Sequence, residues 1–275
     1  MTVLVPAAYL LADGGRVVLL DVRWALGDDR GREKYLAGHL PGAVFVDLET
    51  ELADPPSPEA GRHPLPSLQR LQASARRWGI GASDRVVVYD ASGGLAAARA
   101  WWLLRWGGLT DVRILDGGLD TWLRVGGPLE TGDVVPEPGD VELAGGGMPV
   151  LSIDDAAALP ASGGVLLDAR AAERYRGEVE PIDPRAGHVP GAVSAPTTEN
   201  LASDGSFRSP EELRARFAAV GATRGTTVGV YCGSGVTAAH EVAALAEAGI
   251  DAALWPGSWS QWSNDPGRPA AIGPG

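Results

Sequence analysis

The residue that most clearly predicts chemistry is Cys232, the one cysteine in a chain of 275 residues. It lies in the segment VGVYCGSGVTAAHEVAALAEAG at 228–249, where an apolar run ends at Tyr231 and a helical pattern follows a short loop. A cysteine in this place lies at the carboxyl end of a predicted parallel strand, where ligands bind in open α/β sheets. Gly233 and Gly235 let successive backbone N–H groups point inward, and such a nest before a helix favours anions. The pattern therefore predicts a reactive thiolate, with a small buried cysteine as the alternative.

The elements that position this loop occur twice along the chain, because four short motifs recur in the same order in both halves. The pairs are VVLLDVRW at 17–24 with VLLDAR at 165–170, AGHLPGAVFVD at 37–47 with AGHVPGAVSAP at 186–196, VVVYDASGG at 86–94 with VGVYCGSGV at 228–236, and DGGLDTW at 116–122 with PGSWSQW at 256–262. Four collinear matches indicate an internal duplication. In the third pair, Asp90 takes the place of Cys232.

Each half alternates short apolar runs with helical stretches, which predicts an α/β fold with parallel sheets covered on both sides. The predicted strands are VVLLD, VVVYD and VRILD in the first half and VLLDA, VGVYC and AALWP in the second. The predicted helices are Leu68–Trp78, Leu95–Arg105, Pro210–Ala219 and Thr237–Ala248. The stretch 126–149 is rich in proline and glycine, so we expect a first domain over 1–125, a linker over 126–149 and a second domain over 150–275.

Charge and composition narrow the classes of function. A net charge of −12 argues against binding to nucleic acid or to anionic membranes. A single cysteine rules out an intrachain disulfide, and no Cys/His cluster has the spacing of a zinc site. The mildly apolar stretch from Met1 to Leu11 lacks the Lys or Arg with which a signal peptide begins, so it is a poor signal peptide. We therefore expect a cytoplasmic protein in which Cys232 stays reduced.

These motifs resemble those of the rhodanese superfamily, in the form of its mercaptopyruvate sulfurtransferases. The resemblance lies in Cys232-Gly233-Ser234-Gly235-Val236-Thr237-Ala238, Asp168-Ala169-Arg170, Arg174-Tyr175, Gly187-His188-Val189-Pro190-Gly191-Ala192, Gly38-His39-Leu40-Pro41-Gly42-Ala43 and Gly61-Arg62-His63-Pro64-Leu65-Pro66. It implies two tandem rhodanese-like domains, each with a roughly five-stranded parallel sheet flanked by helices. Asp90 implies that the first domain is catalytically inert.

The resemblance also implies a reaction. Cys232 would take sulfane sulfur from a small-molecule donor and hold it as a persulfide. The sulfur would then pass to cyanide, a small thiol or a thioredoxin-like acceptor, without a metal or organic cofactor. The resemblance to such tandem enzymes also leads us to expect a monomer.

Several side chains are implied as substrate-binding residues. Arg174 matches the substrate-binding arginine of the family, and the loop Gly233, Ser234, Gly235, Val236 and Thr237 would surround the sulfur. A second arginine of mercaptopyruvate enzymes would fall near Asp183, which has the wrong sign, so Arg185 is a displaced candidate. The remaining candidates are Trp24, which resembles an aromatic residue of the substrate pocket, and His63 with Glu49, which would assist Ser234.

The donor is predicted from the charge of the loop. Enzymes that prefer thiosulfate, a dianion, typically carry an Arg-Lys pair just after the cysteine, whereas this chain has the neutral Gly233 and Ser234. Mercaptopyruvate, with its one carboxylate, is therefore favoured, and thiosulfate is the alternative donor.

Two other classes of function remain to be weighed. A phosphatase of related fold needs an arginine six residues after its cysteine, where this chain has Ala238. A non-enzymatic binding or redox-sensing module usually lacks the cysteine, whereas the second half of this chain keeps Cys232.

His39 and His188 recur in both halves, so a role in folding is predicted for each.

Overall fold

A computed structural model of the chain describes residues 2–13 and 15–274, which divide into two compact units. The first unit comprises Met1–Asp54, Pro66–Met148 and Ala202–Phe207. The second comprises Pro55–Leu65, Pro149–Leu201 and Arg208–Gly275. Each unit is therefore built mainly from one half of the sequence, with one short segment from the other half.

Within its described residues, the first unit holds a five-stranded parallel sheet in the order β1-β5-β4-β2-β3. Its elements are β1 (Leu4–Val5), α1 (Ala7–Ala12), β2 (Val17–Asp21), α2 (Gly31–Ala37), β3 (Val44–Phe45), α3 (Leu48–Glu51), α4 (Leu68–Arg77), β4 (Arg85–Tyr89), α5 (Ala97–Trp106), β5 (Val112–Leu115) and α6 (Gly118–Arg124). The central strand β4 is buried from Val86 to Tyr89, as its unbroken apolar run predicts.

The second unit repeats this arrangement with a four-stranded parallel sheet, counted over its described residues, in the order β7-β6-β8-β9. Its elements are α7 (Ile153–Ala158), a 3₁₀ turn (Pro160–Ser162), β6 (Val165–Asp168), α8 (Ala172–Tyr175), β7 (Val193–Ser194), a 3₁₀ turn (Thr197–Asn200), α9 (Pro210–Ala219), β8 (Val228–Tyr231), α10 (Thr237–Glu247), β9 (Ala253–Leu254) and α11 (Ser258–Trp262).

The α/β fold with parallel sheets is confirmed in both units, and one strand count differs from the prediction. Where the first unit has β1 beside β5, the second has a single parallel bridge between Val150 and Leu254. The chain cannot extend this pairing because Ser152 already caps α7, its hydroxyl accepting the N–H of Asp155 in a capping box.

The predicted strands and helices occur where the sequence places them, with end shifts of a residue or two. Helix α10 is buried on all sides over most of its length, since every residue from Ala238 to Leu245 is buried. Strands β1, β3 and β7, of two residues each, were not predicted, whereas the equally short β9 was predicted from the apolar run AALWP. None of the described helices has the length and apolar character that crossing a membrane requires.

The stretch 126–149 contains no helix or strand, but it is packed. Val141 and Leu143 are buried in the first unit. Glu130 forms a backbone bridge with His39. This stretch therefore covers part of the first unit's core.

The repeated histidines stabilise the fold, as predicted. Nδ1 of His39 lies 2.9 Å from the carbonyl oxygen of Leu40. Nδ1 of His188 lies 2.8 Å from that of Tyr175. Each imidazole also stacks on a tyrosine ring, His39 on Tyr35 and His188 on Tyr175.

The loop after β4 folds around the carboxylate of Asp90, which is buried. Oδ1 accepts the N–H groups of Ser92 and Gly94, each at 2.8 Å. Oδ2 accepts those of Ala96 at 2.8 Å and Ala97 at 2.9 Å. The side chain thus satisfies four donors that would otherwise be left unpaired at the start of α5.

Asp90→Asn should destabilise the chain by about 2 to 4 kcal/mol, because the amide offers one acceptor oxygen and turns an NH₂ group toward the other N–H donors. Thermal and urea unfolding followed by circular dichroism would measure the loss. Asp120→Asn removes the same charge from an exposed position and should stay within about 0.5 kcal/mol of the parent. Equal stability of the two variants would contradict this account of the loop.

Candidate active site

Cys232 begins the loop that follows β8, and its side chain is held by the loop backbone. The N–H of Gly235 donates to Sγ of Cys232 at 3.1 Å, and the residue is only 2% exposed. Gly235 has a φ of 78°, and a Cβ on it would lie 2.5 Å from the carbonyl oxygen of Pro256. Glycine is therefore required for the turn that brings this N–H to the sulfur.

The next N–H groups of the loop are available to a ligand. Those of Val236, Thr237 and Ala238 have no acceptor among the residues that the structure describes. They lie at the start of α10, where the helix dipole also favours negative charge. The corresponding loop of the first unit is filled by the Asp90 carboxylate, which accepts four of its N–H groups.

Ser234 and His63 lie together at this loop, as the sequence predicted. Nδ1 of His63 is 2.7 Å from Oγ of Ser234, and both residues are buried. His63 belongs to Pro55–Leu65, the segment of the first half that packs in the second unit. The pair can hold or move a proton beside the sulfur.

Two arginines converge on Gly233, the residue after the cysteine. A Cβ placed on Gly233 would lie 3.1 Å from Nη2 of Arg62 and 3.4 Å from Nη1 of Arg174. The carboxylate of Asp183 joins the two side chains, with Oδ1 accepting from Arg62 at 2.7 Å and Oδ2 from Arg174 at 3.1 Å. Both Nε atoms are buried without a hydrogen-bond partner in the described chain. Two guanidinium groups are thus fixed beside the loop and retain unused donors.

Asp183 belongs to a longer chain of charges. Arg174 also donates to Glu180 at 2.6 Å, and Glu180 lies 3.4 Å from Arg170, which pairs with Asp168 at 2.6 Å. Burial raises the pKa of Asp183 above its ordinary value, while Arg62 and Arg174 oppose that shift.

The backbone of Arg62 is fixed by the turn at 257–260. Oγ of Ser260 accepts the Arg62 N–H at 2.9 Å and donates to the carbonyl of Gly257 at 3.0 Å. Gly61 permits this approach, since a Cβ there would lie 2.6 Å from the Gly257 carbonyl oxygen. The segment that carries Arg62 and His63 is therefore anchored close to the loop.

Arg185 is bound to backbone in this structure. Its guanidinium donates to four backbone carbonyls at 2.7 to 2.9 Å, those of Trp262, Ser263, Asp265 and Arg268. Four of its five N–H donors are occupied in this way, so Arg185 holds the C-terminal segment in place. These bonds leave it little capacity for an anion, and its substrate-binding role stays a prediction.

Trp24 and Glu49 lie in the first unit and bond to each other, with Nε1 of Trp24 donating to Oε1 of Glu49 at 2.7 Å. Both line an open cleft of about 580 Å³ that also includes Arg23, Arg32 and Phe45.

Arg62 is the site residue that sequence reasoning missed. The signal that could have found it is Asp183, because a carboxylate near the substrate-binding Arg174 that is buried on folding requires cationic partners.

The chain is similar to known proteins over nearly its whole length. The sequence model of the family described as "Rhodanese-like domain" matches residues 6–124 and again 152–265. The "Putative thiosulfate sulfurtransferase SseB" of Mycobacterium tuberculosis is 51% identical over 280 residues, covering 98% of this chain and 97% of that protein. The "Probable 3-mercaptopyruvate sulfurtransferase" of Pseudomonas aeruginosa is 48% identical over 269 residues, covering 94% of this chain and 93% of that protein. The crystal structure of the 3-mercaptopyruvate sulfotransferase SseA from Escherichia coli matches with a TM-score of 0.83 and 34% identity, covering 94% of this chain and 99% of that one.

Arg185→Met should lower the free energy of unfolding by about 2 to 4 kcal/mol, because four carbonyls lose a charged donor. The rate at which iodoacetamide alkylates Cys232 should stay unchanged, and the single cysteine makes that rate unambiguous. Arg176→Met, which breaks an exposed ion pair with Glu178, is the control and should cost less than about 1 kcal/mol. Unchanged stability together with altered alkylation would contradict this anchoring role and favour the predicted role of Arg185 at the substrate site.

Proposed function

The chain belongs to the rhodanese family, and from this premise we propose that it is a sulfurtransferase that carries sulfane sulfur as a persulfide on Cys232. The observation that carries the proposal is the position of Cys232 Sγ, which accepts the Gly235 N–H while two guanidinium groups flank the adjoining Gly233. An arrangement of this kind supports a thiolate nucleophile and an anionic donor together.

The proposed reaction has two half-reactions. The Cys232 thiolate attacks the sulfur of mercaptopyruvate, the carbon–sulfur bond breaks, and pyruvate leaves after its enolate takes up a proton. In this proposal Ser234, which is hydrogen-bonded to His63 at 2.7 Å, donates that proton and regains one from His63. The free N–H groups at 236–238 support the outer sulfur of the persulfide. An acceptor thiolate or cyanide then attacks this outer sulfur and regenerates the Cys232 thiolate.

The charges around the loop favour mercaptopyruvate as donor. Arg62, Arg170 and Arg174 are matched by Asp168, Glu180 and Asp183, three of each sign. These six groups sum to zero charge, so each negative charge on a donor adds to the cost of binding, and thiosulfate carries two. A single carboxylate can use the remaining guanidinium donors of Arg62 and Arg174. Arg62 thus takes the place of the second arginine that the sequence around Asp183 lacks.

Thiosulfate is the second candidate donor, and the name of the M. tuberculosis relative favours it. For the acceptor we propose cyanide, a small thiol or a thioredoxin-like protein. We further propose that the enzyme acts as a monomer in the cytoplasm, since its single cysteine must remain reduced.

The first test compares mercaptopyruvate and thiosulfate as donors to cyanide, with the parent enzyme and Cys232→Ser. We expect mercaptopyruvate to lead by about tenfold or more in kcat/KM, a difference of about 1.4 kcal/mol. Cys232→Ser should be inactive with both donors, because no second cysteine can carry the sulfur. Activity that survives in Cys232→Ser would refute the persulfide, and a preference for thiosulfate would refute the donor assignment alone.

Asp183→Asn should shift the preference toward thiosulfate, because it removes one of the three carboxylates and leaves the arginines with a net positive charge. We expect KM for thiosulfate to fall by about tenfold and KM for mercaptopyruvate by less, as two charges gain more than one. Asp251→Asn, at an exposed position, controls for the change in net charge.

The pH dependence gives the same test in the parent enzyme. Lowering the pH toward the raised pKa of Asp183 protonates this carboxyl and mimics the substitution. KM for thiosulfate should therefore fall as pH is lowered in the parent, and this dependence should be weaker in Asp183→Asn. An equal change in KM for both donors would show that Asp183 does not select by charge.

A further inference from the structure

Ser258 has an unusual backbone conformation. Its φ of 54° is the one positive value among the non-glycine residues that the structure describes. Side chains with a Cβ are strained in this region, and glycine is the residue that avoids the strain. The internal repeat supplies the comparison, because DGGLDTW at 116–122 places Gly118 where PGSWSQW at 256–262 places Ser258. Gly118 has a φ of 58°, so the first unit makes the same turn without strain.

The hydroxyl of Ser258 contacts the backbone of the cysteine. Its Oγ accepts the N–H of Cys232 at 3.1 Å and donates to the carbonyl of Trp255 at 2.9 Å, and the residue is fully buried. The donated hydrogen bond turns the oxygen lone pairs toward Cys232 and strengthens the accepted one. A glycine in this place would leave the Cys232 N–H without this partner.

The same turn also binds the other side of the cysteine. The N–H of Trp259 donates to the carbonyl of Cys232 at 3.0 Å, and that of Ser260 to the carbonyl of Gly233 at 2.8 Å. The first unit keeps the equivalent main-chain bond, since the N–H of Leu119 donates to the carbonyl of Asp90 at 2.9 Å. The side-chain hydroxyl, by contrast, has no counterpart in the first unit, where Gly118 stands in its place.

We infer that Ser258 is a positioning residue for sulfur transfer, which fixes the Cys232 peptide so that Sγ stays on the Gly235 N–H and faces the donor. This inference rests on the proposed function. A nucleophile must be held within a fraction of an ångström of its reactive position, and a rigid peptide on both sides of Cys232 meets that need. The strained conformation persists at Ser258 because only a residue with a hydroxyl can bind the cysteine N–H from there.

Two substitutions separate the hydroxyl from the strain. Ser258→Ala removes the hydroxyl and keeps a Cβ at positive φ, whereas Ser258→Gly removes both. The measurements are the single-turnover rate of persulfide formation with mercaptopyruvate, the donor concentration that gives half of that rate, and the melting temperature. Ser263→Ala is the matched control, because Oγ of Ser263 is buried near the same helix without a hydrogen-bond partner in the described chain.

In both Ser258 variants the saturating rate should fall by about tenfold. The half-saturating donor concentration should change by less than about twofold, since Arg62 and Arg174 keep their contacts. Ser258→Gly should melt at a higher temperature than Ser258→Ala because its strain is relieved. Ser263→Ala should keep the parent rate.

Rates that remain at the parent level in both variants would overturn the inference. So would a rate that follows the melting temperature, with Ser258→Gly as fast as the parent, because strain alone would then be at work. If the parent transfers no sulfur at all, the proposed function fails separately, and alkylation of Cys232 by iodoacetamide still reports its placement. Both variants should then alkylate at an altered rate, and an unchanged rate would refute the positioning role as well.

Discussion

The N–H groups that gather at the carboxyl end of a central parallel strand need a negatively charged partner, and the two units satisfy them in different ways. After β4, the carboxylate of Asp90 accepts four of them, and the loop is complete by itself. After β8, Sγ of Cys232 accepts one, from Gly235, and the next three have no acceptor among the described residues. The same local fold is thus closed by its own side chain in one unit, whereas in the other we propose that an anionic donor completes it.

The positive charge near Cys232 comes from outside its loop. A neutral loop of glycines and small polar residues lets the chain place Arg62 and Arg174 against Gly233 without crowding. Because each guanidinium is partly buried, each also needs a carboxylate, and Asp183 serves both. The cost of burying these charges therefore limits the net charge of the site. In the proposed function this net charge also selects the donor anion, so fold stability and donor choice would depend on the same carboxylate.

Patterns that are local in sequence predicted much of the fold and part of the site. The strand, glycine loop and helix around Cys232 lie within one continuous segment, and the duplication doubles the signal for each element. His63 and Ser234 could be paired only through the family resemblance. Arg62 and Asp183 are 121 residues apart, and no periodicity links them, so their ion pair could not be read from either neighbourhood. The positive charge of Arg185 could be seen in the sequence, whereas its four bonds to backbone carbonyls depend on the folded chain and could not.

Because the chain is duplicated, equivalent residues of the two units can be compared, and this comparison separates features that serve folding from features that serve chemistry. His39 and His188 bond to backbone in both units, so their role does not depend on a reactive group. Gly118 and Ser258 make the same turn, but only the second unit replaces the unstrained glycine with a residue whose hydroxyl reaches a cysteine. Ser258 departs from the backbone preference of its residue type in one copy only, and its hydroxyl contacts Cys232. The proposed chemistry of Cys232 explains this departure better than the fold does. The unstrained copy shows that the fold alone does not require it.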